Sequence, residues 1–328
     1  MPANLPPQYY AAEKAFRDAR TTAEKIEALE TMLAVMPKHK GTDHLKADLR
    51  AKIAKLTEQE ERQTGGARAQ LYHVRKEGAG QAALIGIANA GKSRLLGALT
   101  DASPKVADYP YTTQFPMPAM MPFENIQVQI VDLPPVTEHP SQGWMRSLIR
   151  QADLLLLVVD LSFDPLAEME TVLGELGSMR IEPVGQGEVG ATGEMTVRKR
   201  ALVVGNKLDA ADAPDNLELL EEVYRDRFPI VSVSGNTGRG LEELKRMAFQ
   251  ALGIVRVYSR APGQPVDMSR PIIVPRGSTV VEVAEDIHKD LARNLKYALV
   301  WGSGKFSGQR VSRQYVPEDG DIVELCTK

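Results

Sequence analysis

The segment Gly86-Ile-Ala-Asn-Ala-Gly91-Lys92-Ser93 constrains this chain more than any other stretch of its sequence. Its spacing, G-x-x-x-x-G-K-S, comes directly after an apolar run and directly before a run of helix formers. In that context the N–H groups of the loop and helix point at phosphate oxygens, and the glycines remove Cβ atoms that would obstruct them. The segment predicts a strand, a phosphate-binding loop and a helix; a chance Gly-rich turn is the alternative.

The polar side chains of this loop have separate expected roles. Lys92 is expected to lie along the β- and γ-phosphates and to assist catalysis. Ser93 is expected to give its hydroxyl to Mg²⁺. The other nucleotide contacts are expected from Gly86, Asn89, Ala90, Gly91 and Arg94.

A second motif, Asn206-Lys207-Leu208-Asp209, follows the apolar run Ala201–Val204. A carboxylate at that point can accept hydrogen bonds from the N1–H and exocyclic amine of guanine, whereas adenine presents the opposite pattern. Asp209 therefore predicts selection of guanine. We expect Asn206 to brace the loop and contact the base edge, and the stem of Lys207 to pack over the base plane.

A third motif, Ser234-Gly235-Asn236, follows the next strand-like run. Here the backbone N–H of Gly235 is expected to contact guanine O6, with Ser234 supporting the loop. An ordinary strand-to-helix turn would explain these three residues if they stood alone.

Two further positions are expected to bind the metal. Asp132 ends an apolar run and is placed to hold Mg²⁺ directly or through water. Between it and the phosphate loop lies Tyr109-Pro-Tyr-Thr112-Thr113, in which Thr113 is expected to ligate Mg²⁺ while a γ-phosphate is present, and so to take part in catalysis. For either threonine alone, a polar loop is the better interpretation.

The pattern of apolar residues divides the chain into three parts. Residues 1–78 are rich in helix formers and carry apolar residues at helical spacing on both sides of Pro37–Gly41, which predicts an α-helical region. Residues 79–253 alternate apolar runs with helical stretches, which indicates an α/β domain with a mostly parallel sheet. Residues 254–328 predict a small α+β unit with one main helix, Val280–Asn294, while the Gly-rich stretch Pro183–Lys199 predicts a loop. The strands predicted in the middle part are Ala82–Ile87, Ile126–Val131, Leu154–Val159, Ala201–Val204 and Ile230–Val233.

Composition excludes several classes of protein. The formal net charge of −3 gives no overall bias towards nucleic acid or membrane, although a local basic patch is compatible with it. The one cysteine excludes an intramolecular disulfide framework and fits a reducing cytosol. The N-terminus lacks the pattern of a secretory signal, and no apolar run is long enough to span a bilayer, so we expect a soluble cytoplasmic protein. The five histidines lack ligand spacing, so no zinc site is predicted.

The motifs, taken in order, resemble those of Obg-like GTPases of the translation-factor class, and most closely the developmentally regulated GTP-binding proteins, the DRG family. The Tyr109–Thr113 segment is similar to that group's switch sequence. Three C-terminal segments resemble the family's TGS domain: Leu252–Tyr258, Ile287–Leu291 and Lys296–Gly302, which reads KYALVWG. The resemblance covers roughly the whole chain. It implies a P-loop G domain at 79–253, preceded by the helical region and followed by a TGS domain at 254–328.

The chain departs from the family pattern in three places. The family's D-x-x-G motif carries glycine where this chain has Pro135, and proline has no N–H to donate to a γ-phosphate, a contact worth about 1.5–3 kcal/mol. The family inserts a small domain before its N-K-x-D motif, where this chain has only residues 183–199. Its phosphate loop continues with Thr where this chain has Arg94.

The resemblance also bears on catalysis. The position after D-x-x-G, where many GTPases place a water-orienting glutamine, is Val136, and the group has a hydrophobic residue there. Related GTPases use a K⁺ ion held partly by a phosphate-loop asparagine, and Asn89 occupies that position. We therefore expect K⁺ near Asn89 to offset charge between the β- and γ-phosphates. The alternative is that Asn89 only stabilises the turn.

Two functions follow as competing hypotheses. The first is a slow GTPase switch, cycling between GTP and GDP, that acts on ribosomes or RNA, since TGS domains occur in translation-linked proteins. The mildly basic N-terminal region is compatible with contact to RNA phosphates, although a solvated helical face is the default interpretation. The second is a non-hydrolysing, nucleotide-gated scaffold disabled by Pro135. A protein partner could bind the TGS domain or the N-terminal helices, and no membrane partner is expected.

Overall fold

The structure, a computed structural model, describes residues 74–100, 115–137, 143–185, 187, 190–192 and 196–327. The chain divides into two units, Met1–His73 and Val74–Lys328. In the first unit the described positions are all helical, namely Phe16, Leu29, Met32, Leu49 and Lys52. The rest of the predicted N-terminal helical region, including Pro37–Gly41, lies outside the described residues.

The central domain is built on a mixed, mostly parallel sheet. Its strands are β1 (Gln81–Ile85), β2 (Met117–Phe123), β3 (Ile126–Asp132), β4 (Leu154–Asp160), β5 (Ile181–Val184), β6 (Gly190–Thr192), β7 (Thr196–Asn206) and β8 (Ile230–Ser232). The order is β2-β3-β1-β4-β7, with β5, β6 and β8 all pairing with β7. The pairs β2–β3 and β6–β7 are antiparallel, and the others are parallel. The predicted α/β class with a mostly parallel sheet is confirmed.

Helices cover both faces of this sheet. They are α1 (Lys92–Leu99), α2 (Gly143–Gln151), α3 (Pro165–Ser178), α4 (Ala213–Tyr224) and α5 (Leu241–Leu252). Alternate residues of β1 and β4 face α2, α3 and α4 on one side, and the intervening residues face α1 and α5 on the other. Strands buried on both faces read as continuous apolar runs, which is why the sequence identified them. The carboxyl ends of β1, β3, β4, β7 and β8 therefore meet at one edge of the sheet.

The prediction of a loop at Pro183–Lys199 was wrong. Strand β5 continues to Val184, β6 occupies Gly190–Thr192, and β7 begins at Thr196. The first five residues of β7, TVRKR, are only half buried. Their backbone groups pair with β5 on one side and β6 on the other. Charge and glycine content concealed these strands, because tertiary pairing overrides local β-propensity. Strand β2 was also missed.

The C-terminal domain is a five-stranded sheet with two short helices. Its elements are β9 (Ile254–Ser259), β10 (Ile272–Pro275), α6 (Val280–Ile287), α7 (Lys289–Asn294), β11 (Tyr297–Trp301), β12 (Gln309–Val311) and β13 (Ile322–Cys326), with the strands in the order β10-β9-β13-β11-β12. The prediction of a single helix over Val280–Asn294 was wrong, because two helices, α6 and α7, occupy this stretch. His288 adopts an extended conformation (φ −167°, ψ 134°) that ends α6, and its Nδ1 accepts the N–H of Asp290 (3.2 Å) at the start of α7.

Arg256 links the central and C-terminal domains. On β9 it donates to Asp319 of its own domain, with 2.8 Å between Nη2 and Oδ2. It also donates to Glu124 and to Asn125 Oδ1 (3.1 Å) in the turn between β2 and β3, and it lies 4.9 Å from the ring centre of Phe249 on α5. Charge-assisted hydrogen bonds of this kind are about twice as strong as neutral ones. The turn of the β2–β3 hairpin is therefore fastened to the C-terminal domain.

None of the helices in the part of the chain that the structure describes combines the length and apolar character needed to cross a bilayer.

Candidate guanine-nucleotide site

The phosphate loop lies at the carboxyl edge of the sheet, between β1 and α1. Lys92 is buried, and its Nζ donates to the carbonyls of Gly86 (3.1 Å) and Ile87 (2.8 Å) at the start of the loop. A Cβ on Gly86 would lie 2.5 Å from the carbonyl oxygen of Val158, so glycine is needed there for close packing on β4. Asn89 is exposed and has a φ of 64°, in the left-handed region that asparagine tolerates. The Lys92 ammonium thus holds the start of the loop that is predicted to bind phosphate.

Asn206 joins the phosphate loop to the Ser234–Asn236 loop, which is the predicted base-binding loop. Its Nδ2 donates to Ala90 O (3.0 Å), and its Oδ1 accepts the backbone N–H of Gly235 (3.1 Å). Gly91 has a φ of 85°, and a Cβ there would lie 2.3 Å from Asn206 Nδ2. The predicted bracing role agrees with this geometry. The expected contact between the Gly235 N–H and guanine O6 does not, since that N–H is directed at Asn206.

Asp209 is held in place by the Ser234–Asn236 loop. Its Oδ1 accepts a hydrogen bond from Ser234 Oγ (2.6 Å), and its Oδ2 accepts one from Asn236 Nδ2 (3.4 Å). The bond from Ser234 is the main reason that the pKa of Asp209 is lowered. The carboxylate is exposed beside a cavity of about 390 Å³. Residues lining that cavity include Gly91, Arg94, Asn206, Lys207, Asp209, Gly235 and Asn236. An ionised acceptor at the mouth of such a cavity suits the N1–H and amine of guanine.

Arg94 does more than the sequence indicated. Its Nε donates to Gly235 O (3.3 Å), and its Nη2 donates to Asn236 Oδ1 (3.0 Å). The guanidinium therefore lies against the base-binding loop while its backbone belongs to α1. The departure from the family's threonine thus adds a second tie between the phosphate loop and the base-binding loop.

Asp160, at the end of β4, is a site residue that sequence reasoning missed. Its Oδ1 accepts from the N–H (2.8 Å) and Oγ (2.6 Å) of Ser162, and its Oδ2 accepts from the ammonium of Lys207. Burial alone would raise the pKa of Asp160, but the bonds from Lys207 and Ser162 outweigh it and hold the pKa below its usual value. This ion pair fixes the Lys207 stem beside the base cavity. A carboxylate directly after a buried parallel strand was the available signal.

The predicted metal ligands Ser93 and Asp132 lie together. Ser93 Oγ donates to Asp132 Oδ2 (2.5 Å). Asp132 is fully buried, and its Oδ1 has no hydrogen-bond partner among the described residues. Burial raises the pKa of Asp132, although Ser93 and Lys92 oppose that effect. An incompletely satisfied buried carboxylate beside a hydroxyl fits the oxygen-ligand preference of Mg²⁺. Thr113, the other expected ligand, lies outside the described residues.

The residues after Asp132 are packed against the phosphate loop. Leu133–Val136 are buried, and the backbone N–H of Val136 donates to Gly86 O (3.3 Å). The Val136 side chain is fully buried in the core on the α2–α4 side of the sheet. It therefore lies away from any position from which a side chain could orient water. Pro135, next to it, has no N–H to offer a γ-phosphate.

These features define a P-loop nucleotide-binding protein with a guanine-type base site, and comparison with known proteins agrees. Residues 81–184 match the family described as "50S ribosome-binding GTPase", and residues 255–327 match the TGS domain. An uncharacterized GTP-binding protein of Methanocaldococcus jannaschii is 31% identical over 95% of this chain and 94% of its own. Human developmentally-regulated GTP-binding protein 2 is 26% identical over 93% of this chain and 99% of its own length. The chain therefore belongs to the Obg/DRG-like family of GTP-binding proteins with a C-terminal TGS domain.

Solved structures support the fold. A GTP-binding protein from Pyrococcus horikoshii has a TM-score of 0.52 at 16% identity, covering 76% of this chain and 100% of that one. The YchF GTPase of Schizosaccharomyces pombe has a TM-score of 0.50 at 14% identity, covering 77% of this chain and 99% of that one. The alignment to the Methanocaldococcus protein runs over 368 positions against the 328 residues of this chain, so that relative has residues without a counterpart here.

Asp132→Asn should stabilise the nucleotide-free protein and weaken its Mg²⁺-dependent binding of GTP. Because the pKa of Asp132 is raised in the folded protein, ionising this carboxylate lowers the folding stability. The protein has its full stability at low pH and loses part of it as pH rises through the folded-state pKa. A neutral amide removes that cost, so the melting temperature should rise measurably at pH 7, with the gain shrinking towards pH 4. The control Asp226→Asn makes the same charge change at an exposed position and should change neither property. A lower melting temperature at pH 7 would contradict the burial argument.

Asp209→Asn should change the base preference of the site from guanine to xanthine. The amide would turn an N–H donor towards the exocyclic amine of guanine, whereas xanthine presents a carbonyl there. We expect GDP affinity to fall roughly a hundredfold, equivalent to about 3 kcal/mol, and XDP affinity to rise, as measured by calorimetry. Asp212→Asn makes the same charge change at an exposed position and should leave both affinities unchanged. Unaltered GDP binding by Asp209→Asn would show that this carboxylate does not contact the base.

Proposed function

We propose that this GTP-binding protein is a slow GTPase whose nucleotide state controls its action on ribosomes or RNA. The observation that carries the proposal is the complete burial of Val136, combined with proline at position 135. Slow turnover follows because the segment after Asp132 supplies neither a water-orienting side chain nor the glycine N–H. Membership of the GTPase family supports hydrolysis itself, with Mg²⁺ held by Ser93, Asp132 and, in this proposal, Thr113.

The ribosome or RNA part of the proposal is supported by domain content. The matched G-domain family is described as ribosome-binding, and a TGS domain follows it. The single cysteine fits a reducing compartment, so we place this activity in the cytoplasm. Co-sedimentation with ribosomes should be stronger with a non-hydrolysable GTP analogue than with GDP. Equal sedimentation in both states would contradict a nucleotide-dependent switch.

A non-hydrolysing scaffold is the second candidate, and Pro135 is the observation that favours it. In a single-turnover assay with GTP and Mg²⁺, we expect the purified chain to hydrolyse GTP slowly and Pro135→Gly to do so faster. The restored N–H would be worth about 1.5–3 kcal/mol in the transition state, or roughly tenfold to a hundredfold in rate.

Pro134→Gly is the matched control, because it changes a neighbouring buried proline in the same way. It should leave the rate unchanged. Equal rates for Pro135→Gly and the parent chain would mean that residue 135 does not face the γ-phosphate. No hydrolysis by either chain, despite tight GTP binding, would favour the scaffold.

Potassium stimulation forms the last part of the proposal. Asn89 is exposed on the phosphate loop and would supply an oxygen ligand to K⁺, whose charge would offset that between the β- and γ-phosphates. GTP turnover should be faster in KCl than in NaCl at equal ionic strength. Asn89→Gly keeps the positive φ available while removing the side chain, so it should abolish the difference. Equal rates of the parent chain in the two salts would exclude this role of K⁺.

A further inference from the structure

A second cavity lies at the opposite edge of the central sheet from the nucleotide site. Its volume is about 560 Å³, and it opens between the central and C-terminal domains. The strand β7 joins the two regions, since its Arg200 lines this cavity and its Asn206 lies at the nucleotide site. Six residues of extended strand separate these positions by roughly 20 Å. The second cavity is therefore distinct from the nucleotide site.

Basic side chains dominate the charged lining of this cavity. Among the described lining residues, one carboxylate, Asp153, stands against four cations, namely Arg198, Lys199, Arg200 and Arg276. We call these four cations and the space between them the junction cavity. Arg198, Lys199 and Arg200 come from the central domain, and Arg276 follows β10 in the C-terminal domain.

Two of these cations are fixed at the ends of helices. Lys199 Nζ donates to Ala152 O (2.7 Å) just after α2, and Arg200 Nη1 donates to Leu252 O (2.9 Å) at the end of α5. Gly253 makes room for this guanidinium, because a Cβ there would lie 2.4 Å from Arg200 Nη1. Cations at helix C-termini stabilise the helix dipole, which is one reason for their presence. These bonds engage one N–H of each group, whereas an ammonium has three and a guanidinium five.

More positive charge surrounds the cavity than helix ends require. Burial is the main reason that the pKa of Lys199 is lowered, and Lys76 and Arg150 lower it further by repulsion. Of the nearby carboxylates, Asp153 pairs with Lys76 (2.5 Å), and Glu182 pairs with Arg198 (2.9 Å). Among the described residues, the four defining cations stand against Asp153 and Glu182, an excess of two positive charges on a chain whose net charge is −3. Such a local excess attracts a polyanion.

We propose that the junction cavity holds phosphate groups of a single RNA strand. Arginine forks match phosphate oxygens geometrically, and three of the four defining cations are arginines. The four cations come from both domains around a cavity of about 560 Å³, which suits several phosphate groups in a chain better than one. No aromatic ring is among the described lining residues, so contact is to the backbone rather than by base stacking. This inference rests on the proposed function, for which it names the RNA-binding surface.

The test measures binding of a fluorescein-labelled single-stranded RNA of about 20 nucleotides to the full chain by anisotropy, over a salt series. A saturating non-hydrolysable GTP analogue with Mg²⁺ fills the phosphate loop, so that RNA cannot compete there, and keeps the chain in the nucleotide state in which the proposed function binds. The test variant combines Arg198→Ala and Arg276→Ala. The control combines Arg246→Ala and Arg293→Ala, which removes the same charge from two exposed positions elsewhere.

The test variant should bind RNA at least about tenfold more weakly than the parent chain, and the slope of log K against log salt should become shallower by about 1.4, or 0.7 for each lost contact. The control should change affinity less than about twofold, and GDP affinity should be the same in all three chains. Equal RNA binding by test and control variants would overturn the junction cavity as the site while leaving the proposed function intact.

Two other results would also overturn the inference. Tripolyphosphate binding that depends on Arg198 and Arg276, in a chain that does not bind RNA, would assign the cavity to a small phosphorylated ligand. Absence of both RNA and tripolyphosphate binding would remove the site altogether. The proposed function would then be judged separately by ribosome co-sedimentation in the two nucleotide states.

Discussion

The geometry of the nucleotide site depends on one buried amide, that of Asn206. Its nitrogen and oxygen are both satisfied, by Ala90 O and by the Gly235 N–H, and the residue is 2% exposed. Leaving a buried polar group unpaired costs about 1–3 kcal/mol, so the loops that follow β1 and β8 are held in register with the end of β7. Gly91 belongs to the same arrangement, since a side chain there would collide with the amide. Phosphate and base recognition are thus parts of one hydrogen-bonded unit.

Asp132 shows the opposite condition, a buried group that the protein leaves incompletely paired. Ser93 satisfies one carboxylate oxygen, while burial works against ionisation of the group. Functional sites commonly give up stability in this way, and a divalent cation would compensate for it. The bond from the Val136 N–H to Gly86 O holds the following residues against the phosphate loop. Any movement of that segment towards a γ-phosphate must first break this bond.

Much of the fold and the site could be predicted because its chemistry is local in sequence. The phosphate loop and Asn206–Asp209 each need only a strand, a short spacing and a few residue types. The Lys207–Asp160 pair spans 47 positions, and the contact of Arg94 with Gly235 spans 141, so neither leaves a local pattern. Strands β5 and β6 were missed for a related reason, since glycine and charge disfavour a strand locally and pairing with β7 supplies the missing stabilisation.

The β2–β3 hairpin gives this nucleotide site a direct structural path to the TGS domain. Strand β3 runs from Ile126, next to the Asn125 that contacts Arg256, to Asp132, the proposed metal ligand. Asn125 also donates to Tyr258 OH (2.7 Å) and to Met268 O (2.8 Å), so several bonds fix this end of the hairpin to the TGS domain. A paired strand in the middle of a sheet is stiff along its length. Asp132 and the Arg256 contacts therefore lie at opposite ends of one paired strand.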